Sequence, residues 1–402
     1  MANNVYIVDQ LATGIQTVEV TDDGTGIDWL VFEGIYAQPT DIRLGQTKVN
    51  EVSTSASGFY FEPLNSGHRL IINGLIENVR GSNGEDFIQG NELGNLLFGD
   101  AAQTGPGGFD SIDGFDGDDT FYGGSGDDLL SGGGDQDLLF GNSGIDNISG
   151  GSGNDTVIGG TGADILSGGA DARDQVSYVG STAGVRVNIT FGQATIGRGG
   201  HASGDQISGF ADVTGSGHAD VIVDTVKASI AFGYNSNQFF GGAGNDTLKL
   251  GGGDDLGRGG EGDDQLWGEA GNDLLYGDAG ADVIRGGDGA DQLFGGADAD
   301  RFVFASVADS SPTVTLRDRV RDFSRAELDQ IDLSLIDADP ASAVNAFTWR
   351  GTSGFSGAAG EVRWRELGDG ALLLADTNGD RSADFAVLVM NLSSLRVTDV
   401  IL

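Results

Sequence analysis

Cysteine is missing from all 402 residues, which rules out disulfides, thiolate metal sites and a thiol nucleophile. Histidine is scarce: His68, His201 and His218 stand in unrelated contexts, and no H-E-x-x-H zinc motif occurs. There is also no G-x-S-x-G nucleophile elbow and no G-x-x-x-x-G-K-[ST] phosphate loop. GRGGHA (197–202) fits a degenerate dinucleotide pattern, but no helix signal follows it. Basic residues are few, with 21 Lys and Arg against 61 Asp and Glu, a net charge of −40. Such a chain repels nucleic acid and anionic membranes and attracts divalent cations. No apolar run reaches the length of a membrane span, and the opening MANNVYIVDQ lacks the basic and apolar regions of a secretory signal peptide. Five prolines against 71 glycines point to a turn-dense all-β protein.

The glycines are ordered. A nine-residue unit, typified by GNSGIDNIS at 141–149, repeats without a slip from Gly105 to Ser167 and again from Gly241 to Val303. Each array holds seven units, and the sixth column is aspartate in all fourteen: Asp110, Asp119, Asp128, Asp137, Asp146, Asp155 and Asp164, then Asp246, Asp255, Asp264, Asp273, Asp282, Asp291 and Asp300. Column eight is apolar except at Gly257, and columns one and four are nearly always glycine. Glycine-rich positions followed by a short segment with one apolar centre read as a tight turn and a strand. Two units then make one coil of a flattened solenoid, with coils about 4.8 Å apart. The apolar column fills the interior, which a disordered Gly/Asp-rich segment would have no reason to maintain.

Stacking places Asp110, Asp128, Asp146 and Asp164 on one edge and Asp119, Asp137 and Asp155 on the other. Adjacent carboxylates in such a column repel by about 1 kcal/mol in water and by about 3 to 4 kcal/mol at an effective dielectric near 20. No Lys, Arg or Glu lies between Leu93 and Ala172 to neutralise them. A hard divalent cation held by paired aspartates and turn carbonyls would do so, and an all-oxygen ligand set selects Ca²⁺ over transition metals. One ion between each adjacent pair gives roughly ten in the two arrays.

The strings GGSGDDLLS (123–131) and GGSGNDTVI (150–158) resemble the haemolysin-type calcium-binding nonapeptide of RTX proteins, G-G-x-G-x-D-x-hydrophobic-x. That resemblance implies a right-handed parallel β-roll with calcium held between successive turns. The fold class is therefore all-β: two such rolls, with strand-rich lead-in segments and a C-terminal β-domain.

The segments divide as 1–80 (first lead-in), 81–172 (first roll), 173–240 (second lead-in), 241–304 (second roll) and 305–402. In the first lead-in, DWLVFEG (28–34), TDIRLG (40–45), SGFYFEP (57–63) and HRLIING (68–74) read as strands. GSNGEDFIQ (81–89) and GNELGNLLF (90–98) are repeat-like, and the insertion GDAAQT (99–104) is expected as a surface loop. DQVSYVGSTAGVRVNI (174–189) and ADVTGSGHADVI (211–222) repeat the opening pattern, with Asp220 in the place of Asp86. Leu250 stands where glycine is expected and Gly257 where an apolar residue is, so a distorted coil is expected around Asp255.

After Ala305 the composition changes, and nine arginines appear. DRVRDFSRAELDQIDLSLID (318–337), AFTWRGTSGFSGAAGEVRW (346–364) and DTNGDRSADFAVLV (376–389) together are similar to the C-terminal domain of serralysin-type metalloproteases. The resemblance implies a C-terminal type I secretion signal, whose pattern of an acid followed by apolar residues is met by Asp399, Val400, Ile401 and Leu402. It carries no protease domain with it, since the zinc motif is missing. Asp376, Asn378, Asp380 and Asp384 resemble the start of a calcium loop, but the glycine falls at position four and no closing Glu follows, so a solvated Asx-rich turn competes with an ion site there.

The expectation is a secreted, extracellular calcium-binding protein that folds on calcium and has no catalysis of its own. Its partners are calcium, a type I exporter and an extracellular polysaccharide or cell-surface component, with no nucleic acid and no membrane span. Two alternatives stand beside it. One is an extracellular enzyme acting on polysaccharide, sited in residues 1–80 or 173–240 and using carboxylates such as Asp28, Glu33, Glu51, Glu62 and Glu77. The other is the export and folding module of a metalloprotease relative. Asp146→Ala, at a shared rung, is predicted to lower the cooperativity of a calcium titration more than Asp300→Ala, at an array end.

Overall fold

In the computed structural model, residues 78–81, 84–100, 107–169, 173–189, 195–225, 236–341 and 346–402 are described, with the backbones of strands 5–9, 16–21, 29–33, 40–43 and 68–73. SGFYFEP (57–63), most of the 99–104 insertion, and Asp28, Glu51, Glu62 and Glu77 lie outside the described residues. Glu33 ends the strand Trp29–Glu33. The chain forms two compact units, residues 1–180 with 191–210, and residues 181–190 with 211–402.

Each unit is a β-roll of parallel strands. In the first, alternate repeats go to alternate sheets, so strand partners are 18 residues apart: Leu139 pairs with Phe121 and Val157, while Ile148 pairs with Leu130 and Leu166. One sheet runs through strands Leu96–Phe98, Thr120–Ser125, Leu138–Ser143, Thr156–Thr161 and Gln175–Ser177. At its start, Val5–Asp9, Trp29–Glu33 and Asn78–Arg80 add in parallel, so these lead-in strands continue the roll. The other sheet runs through Thr40–Arg43, Asp86–Gln89, Ser111–Phe115, Leu129–Gly134, Asn147–Ser152, Ile165–Gly169 and Gln206–Ser208. His68–Asn73 pairs with Gln16–Thr21.

The second unit repeats this plan. Its strands Asp212–Thr214, Gln238–Ala243, Leu256–Glu261, Leu274–Ala279, Gln292–Ala297 and Arg319–Val320 make one sheet. Arg186–Ile189, Val221–Asp224, Thr247–Lys249, Gln265–Ala270, Val283–Asp288, Arg301–Val303, Gln330–Asp332 and Val400–Ile401 make the other. The 173–240 segment is thus divided between the units, and residues 305–402 supply further coils. An antiparallel ribbon, Glu361–Leu367, Gly370–Asp376 and Phe385–Met390, joins the first of these sheets through Val320 and Val389.

The strands extend beyond the short segment around each apolar centre. Leu138–Ser143 and most of its equivalents run six residues, from column seven into column three of the next unit. Along them the column-eight side chain and the column-one glycine face inward, and the residues between face outward. Phe121, Leu130, Leu139, Ile148, Val157 and Leu166 are fully buried in one roll, and Leu248, Leu266, Leu275, Ile284 and Leu293 in the other. Each such side chain contributes about 1.5 to 3 kcal/mol. Outward column-nine residues differ by sheet: Phe98, Tyr122 and Phe140 stack at 4.8 and 4.7 Å, whereas Ser131, Ser149, Ser167 and Ser208 line the other face.

The coil expected to be distorted keeps the common register, but its strand Thr247–Lys249 stops short at Leu250, and only an isolated bridge from Gly252 to Ala270 follows. Gly257 pairs with Phe239 and Leu275 in the common register. Leu250 is fully buried, and its two methyls lie 3.1 and 3.2 Å from where a Gly257 Cβ would be. The out-of-place leucine therefore fills the volume that the out-of-place glycine leaves. Leu250→Ala is predicted to destabilise the calcium-loaded second unit by about 2 to 5 kcal/mol, read by denaturant unfolding in excess calcium. Loss of less than about 1 kcal/mol would contradict this compensation.

Candidate metal centre

The site is built at the turns. Columns two and four take positive φ in successive coils, as at Gly124 (116°), Gly126 (137°), Gly151 (124°) and Gly153 (127°). The column-two requirement holds even for Phe115, Asn142, Glu269 and Asp278. Column one is glycine for a different reason, close approach. A Cβ on Gly123 would lie 2.6 Å from Asp128 Oδ2 and 2.9 Å from the Gly141 carbonyl oxygen. The glycines at 114, 132, 141, 241, 259, 268 and 277 meet their own repeat's aspartate and the next coil's carbonyl in the same way.

All fourteen predicted aspartates belong to four hydrogen-bonded ladders. In each, Oδ1 accepts the backbone N–H of the rung one coil earlier. Asp110 N–H donates to Asp128 Oδ1 at 2.8 Å, Asp128 to Asp146 at 2.8 Å and Asp146 to Asp164 at 2.9 Å. On the other edge of that unit Asp119 donates to Asp137 and Asp137 to Asp155, both at 2.9 Å. In the second unit Asp246, Asp264, Asp282 and Asp300 form one ladder, and Asp255, Asp273 and Asp291 the other. Asp255 is as regular a rung as its neighbours, with Asn237 N–H on its Oδ1 at 2.7 Å.

The second oxygen is different. Oδ2 of Asp110, Asp119, Asp128, Asp137, Asp146, Asp164, Asp246, Asp255, Asp264, Asp273, Asp282, Asp291 and Asp300 is buried and receives no hydrogen bond. Such an atom is costly to leave so, and more costly when its group is charged. The carboxyls respond. Burial pushes Asp110 up to about 9, with the charges of Asp86 and Asp128 adding to it. Burial likewise lifts Asp119 and Asp146 to about 8 and Asp128 and Asp137 to about 7. Among the described residues no three His, Asp or Glu side chains converge. The oxygens on offer are therefore carboxylate Oδ2 and backbone carbonyl, a donor set that fits a hard cation such as Ca²⁺. Bound there, the cation would supply the positive charge that these oxygens lack.

The structure adds rungs that strict nine-residue spacing hides. Asp174 Oδ1 accepts Asp155 N–H, Asp205 accepts Asp164, Asp318 accepts Asp291 and Asp329 accepts Asp300. Loops of irregular length precede each of them, so only their place in space marks them. Asp86 and Asp220, matched to each other by sequence, both open a ladder by donating to Asp110 and Asp246. A second, exposed ladder explains why column five favours Asp and Asn. Asp127 Oδ1 accepts Ile145 N–H, and Asp254, Asp263 and Asn272 act alike toward residues 272, 281 and 290.

The 376–384 loop is an Asx-rich turn. Asp376 accepts the N–H groups of Gly379 and Arg381, and Asp384 accepts from Thr377 and Asn378. Its oxygens are taken up by the protein's own donors. GRGGHA carries a single turn of 3₁₀-helix at Gly200–Ala202 without a side-chain cap.

The family model of the RTX calcium-binding nonapeptide repeat (4 copies) matches residues 105–139, 113–148, 140–173, 233–266, 251–284 and 267–302. The chain carries RTX calcium-binding nonapeptide repeats. These repeats bind Ca²⁺, and the matched residues cover all but the last residue of the two arrays. Among solved structures, the chain is similar to the AlgE6R3 subunit from the Azotobacter vinelandii mannuronan C5-epimerase, at 26% identity over 44% of this chain and 83% of that one, with a TM-score of 0.20. No curated protein matches the chain. Among the described residues no helix is long and apolar enough to cross a membrane.

Two predictions follow from the ladders. Asp300 is followed in its ladder by Asp329, whose Oδ2 already accepts Ser324 N–H, so Asp300 borders one cation position and Asp146 two: Asp146→Ala is predicted to lower calcium cooperativity more than Asp300→Ala, and Asp329→Ala least. Hill slopes from parallel calcium titrations test this. A carboxyl raised from about 4 in the unfolded chain to about 6 to 9 in the roll binds its proton more tightly when folded. The metal-free roll is then most favoured below about pH 4 and loses that support as pH rises through about 6 to 9. In chelator, β-structure by circular dichroism is predicted to increase from about pH 8 to pH 5, while the calcium needed for folding increases over the same range.

Proposed function

We propose that this is a secreted RTX protein without catalysis of its own, which leaves the cell unfolded through a type I exporter and folds outside where calcium is millimolar. The observation that carries the reading is the set of buried Oδ2 atoms with no donor. At neutral pH and low calcium each rung must be either a buried charge or a protonated acid, and both oppose folding. With one ion per adjacent pair the arrays hold roughly ten, at the fourteen aspartates, with affinities of the extracellular class near 10⁻⁴ to 10⁻³ M.

The serralysin-like composition of residues 305–402 supports export from the C-terminus. Val400 and Ile401 pair with Ile331 and Asp332, and Asp399 is held by Arg325. A signal at Asp399–Leu402 is thus more accessible before folding than after it, as secretion ahead of folding requires. Outside the cell, calcium-rigidified rolls suit surface attachment or scaffolding toward a polysaccharide or cell-surface partner.

Far-UV circular dichroism during a calcium titration from chelator, with magnesium in parallel, tests the proposal. A cooperative gain of β signal near millimolar calcium, absent with magnesium, is predicted. Full structure in chelator at neutral pH would overturn it.

A further inference from the structure

The repeat arrays end at Ser167 and Val303, but the ladders run on, and they end in two different ways. In the first unit the rung after Asp164 is Asp205, whose Oδ1 accepts Asp164 N–H at 2.9 Å. Asp205 is fully buried, as are the rungs before it. Its Oδ2, however, has a donor: the Tyr178 hydroxyl at 3.1 Å, from a side chain only 2% exposed. One ladder of the second unit closes comparably. Asp329 Oδ1 accepts Asp300 N–H at 3.0 Å, and its Oδ2 accepts Ser324 N–H at 2.7 Å.

The remaining ladder of the second unit has no such closure. Asp318 Oδ1 accepts Asp291 N–H at 2.9 Å, and its own N–H donates to Ser310 Oγ at 2.9 Å. Asp318 and Asp291 are both fully buried, and both keep an Oδ2 without a hydrogen bond. Arg285 is taken by Asp309, which also accepts Ala305 N–H. Asp318 therefore has the condition of an interior rung although it lies beyond the last repeat.

We propose that the protein's own hydrogen-bond donors, and not the end of the repeat array, set where the row of cations stops: Asp318 and Asp291 share a divalent cation beyond the last repeat, whereas Asp205, closed by Tyr178, holds none. The chemistry is a choice between two ways of satisfying one buried oxygen. A hydroxyl or amide donor supplies a single directed hydrogen bond. A calcium ion needs six to eight oxygens around it, and the buried tyrosine brings one hydroxyl on an apolar ring instead. The inference rests on the calcium reading of the ladders given above.

Equilibrium dialysis of the full chain in saturating calcium tests it on wild type, Asp318→Asn and Asp205→Asn. Asparagine keeps the shape and the Oδ1 acceptor and removes the charge. Asp318→Asn is expected to bind about one ion fewer per chain, and Asp205→Asn as many as wild type. Loss of an ion in Asp205→Asn, or none in Asp318→Asn, overturns the proposal, while a wild type that binds no calcium would overturn the underlying reading instead. Should a variant fail to fold, wild-type crystals grown with a lanthanide decide the matter. An anomalous peak beside Asp291 and Asp318 and none beside Asp205 supports the assignment, and the converse sinks it.

Discussion

A file of buried carboxylates, whose interior rungs such as Asp128 and Asp146 have one oxygen bonded to the neighbouring coil and the other bare, is the constraint on which this structure depends. The first oxygen fixes the coil spacing, because it reaches one particular N–H. The second cannot be left alone in a dry interior. Glycine in column one follows from this, since any side chain there would occupy the space of that oxygen and the next coil's carbonyl. The apolar column supplies burial, but it cannot neutralise charge. Folding and cation binding are consequently a single equilibrium in which neither half is complete alone.

Where the chain keeps its nine-residue beat, its pattern could be read directly. The two edges, the inward column and all fourteen aspartates are where periodicity places them, because the hydrogen bond from Asp128 to Asp146 requires the same 18-residue offset every time. Reading fails where space and sequence spacing separate. Asp205 follows Asp164 by 41 residues and Asp318 follows Asp291 by 27, yet each occupies the next rung. Leu250 and Gly257 look like two errors when aligned in columns and are one packed pair in three dimensions. The column-two turn conformation was hidden because Phe115, Asn142, Glu269 and Asp278 adopt it without being glycine.

The two ends of a solenoid sheet are exposed edges, and parallel strands of one repeated register invite further addition. In the second unit the strand Arg319–Val320 pairs with Phe385–Met390, and the sheet then changes to antiparallel pairing through Gly370–Asp376 and Glu361–Leu367. The change of direction interrupts the register that another coil would copy. Composition marks the same boundary, since nine arginines fall in the last 98 residues, as many as in all the chain before them.

Because successive repeats alternate between sheets, the unit of safe length change is 18 residues and not nine. Removing one repeat from the first array would send every later strand to the opposite face. With the repeat at 123–131 removed, Phe140 would leave its stack on Tyr122 for the place beside Asp113, and Ser149 would take the place on Tyr122. The buried column would survive that exchange and the two outer faces would not. Growth or shortening of this protein over generations is thereby confined to whole coils, and any engineered lengthening should add repeats in pairs.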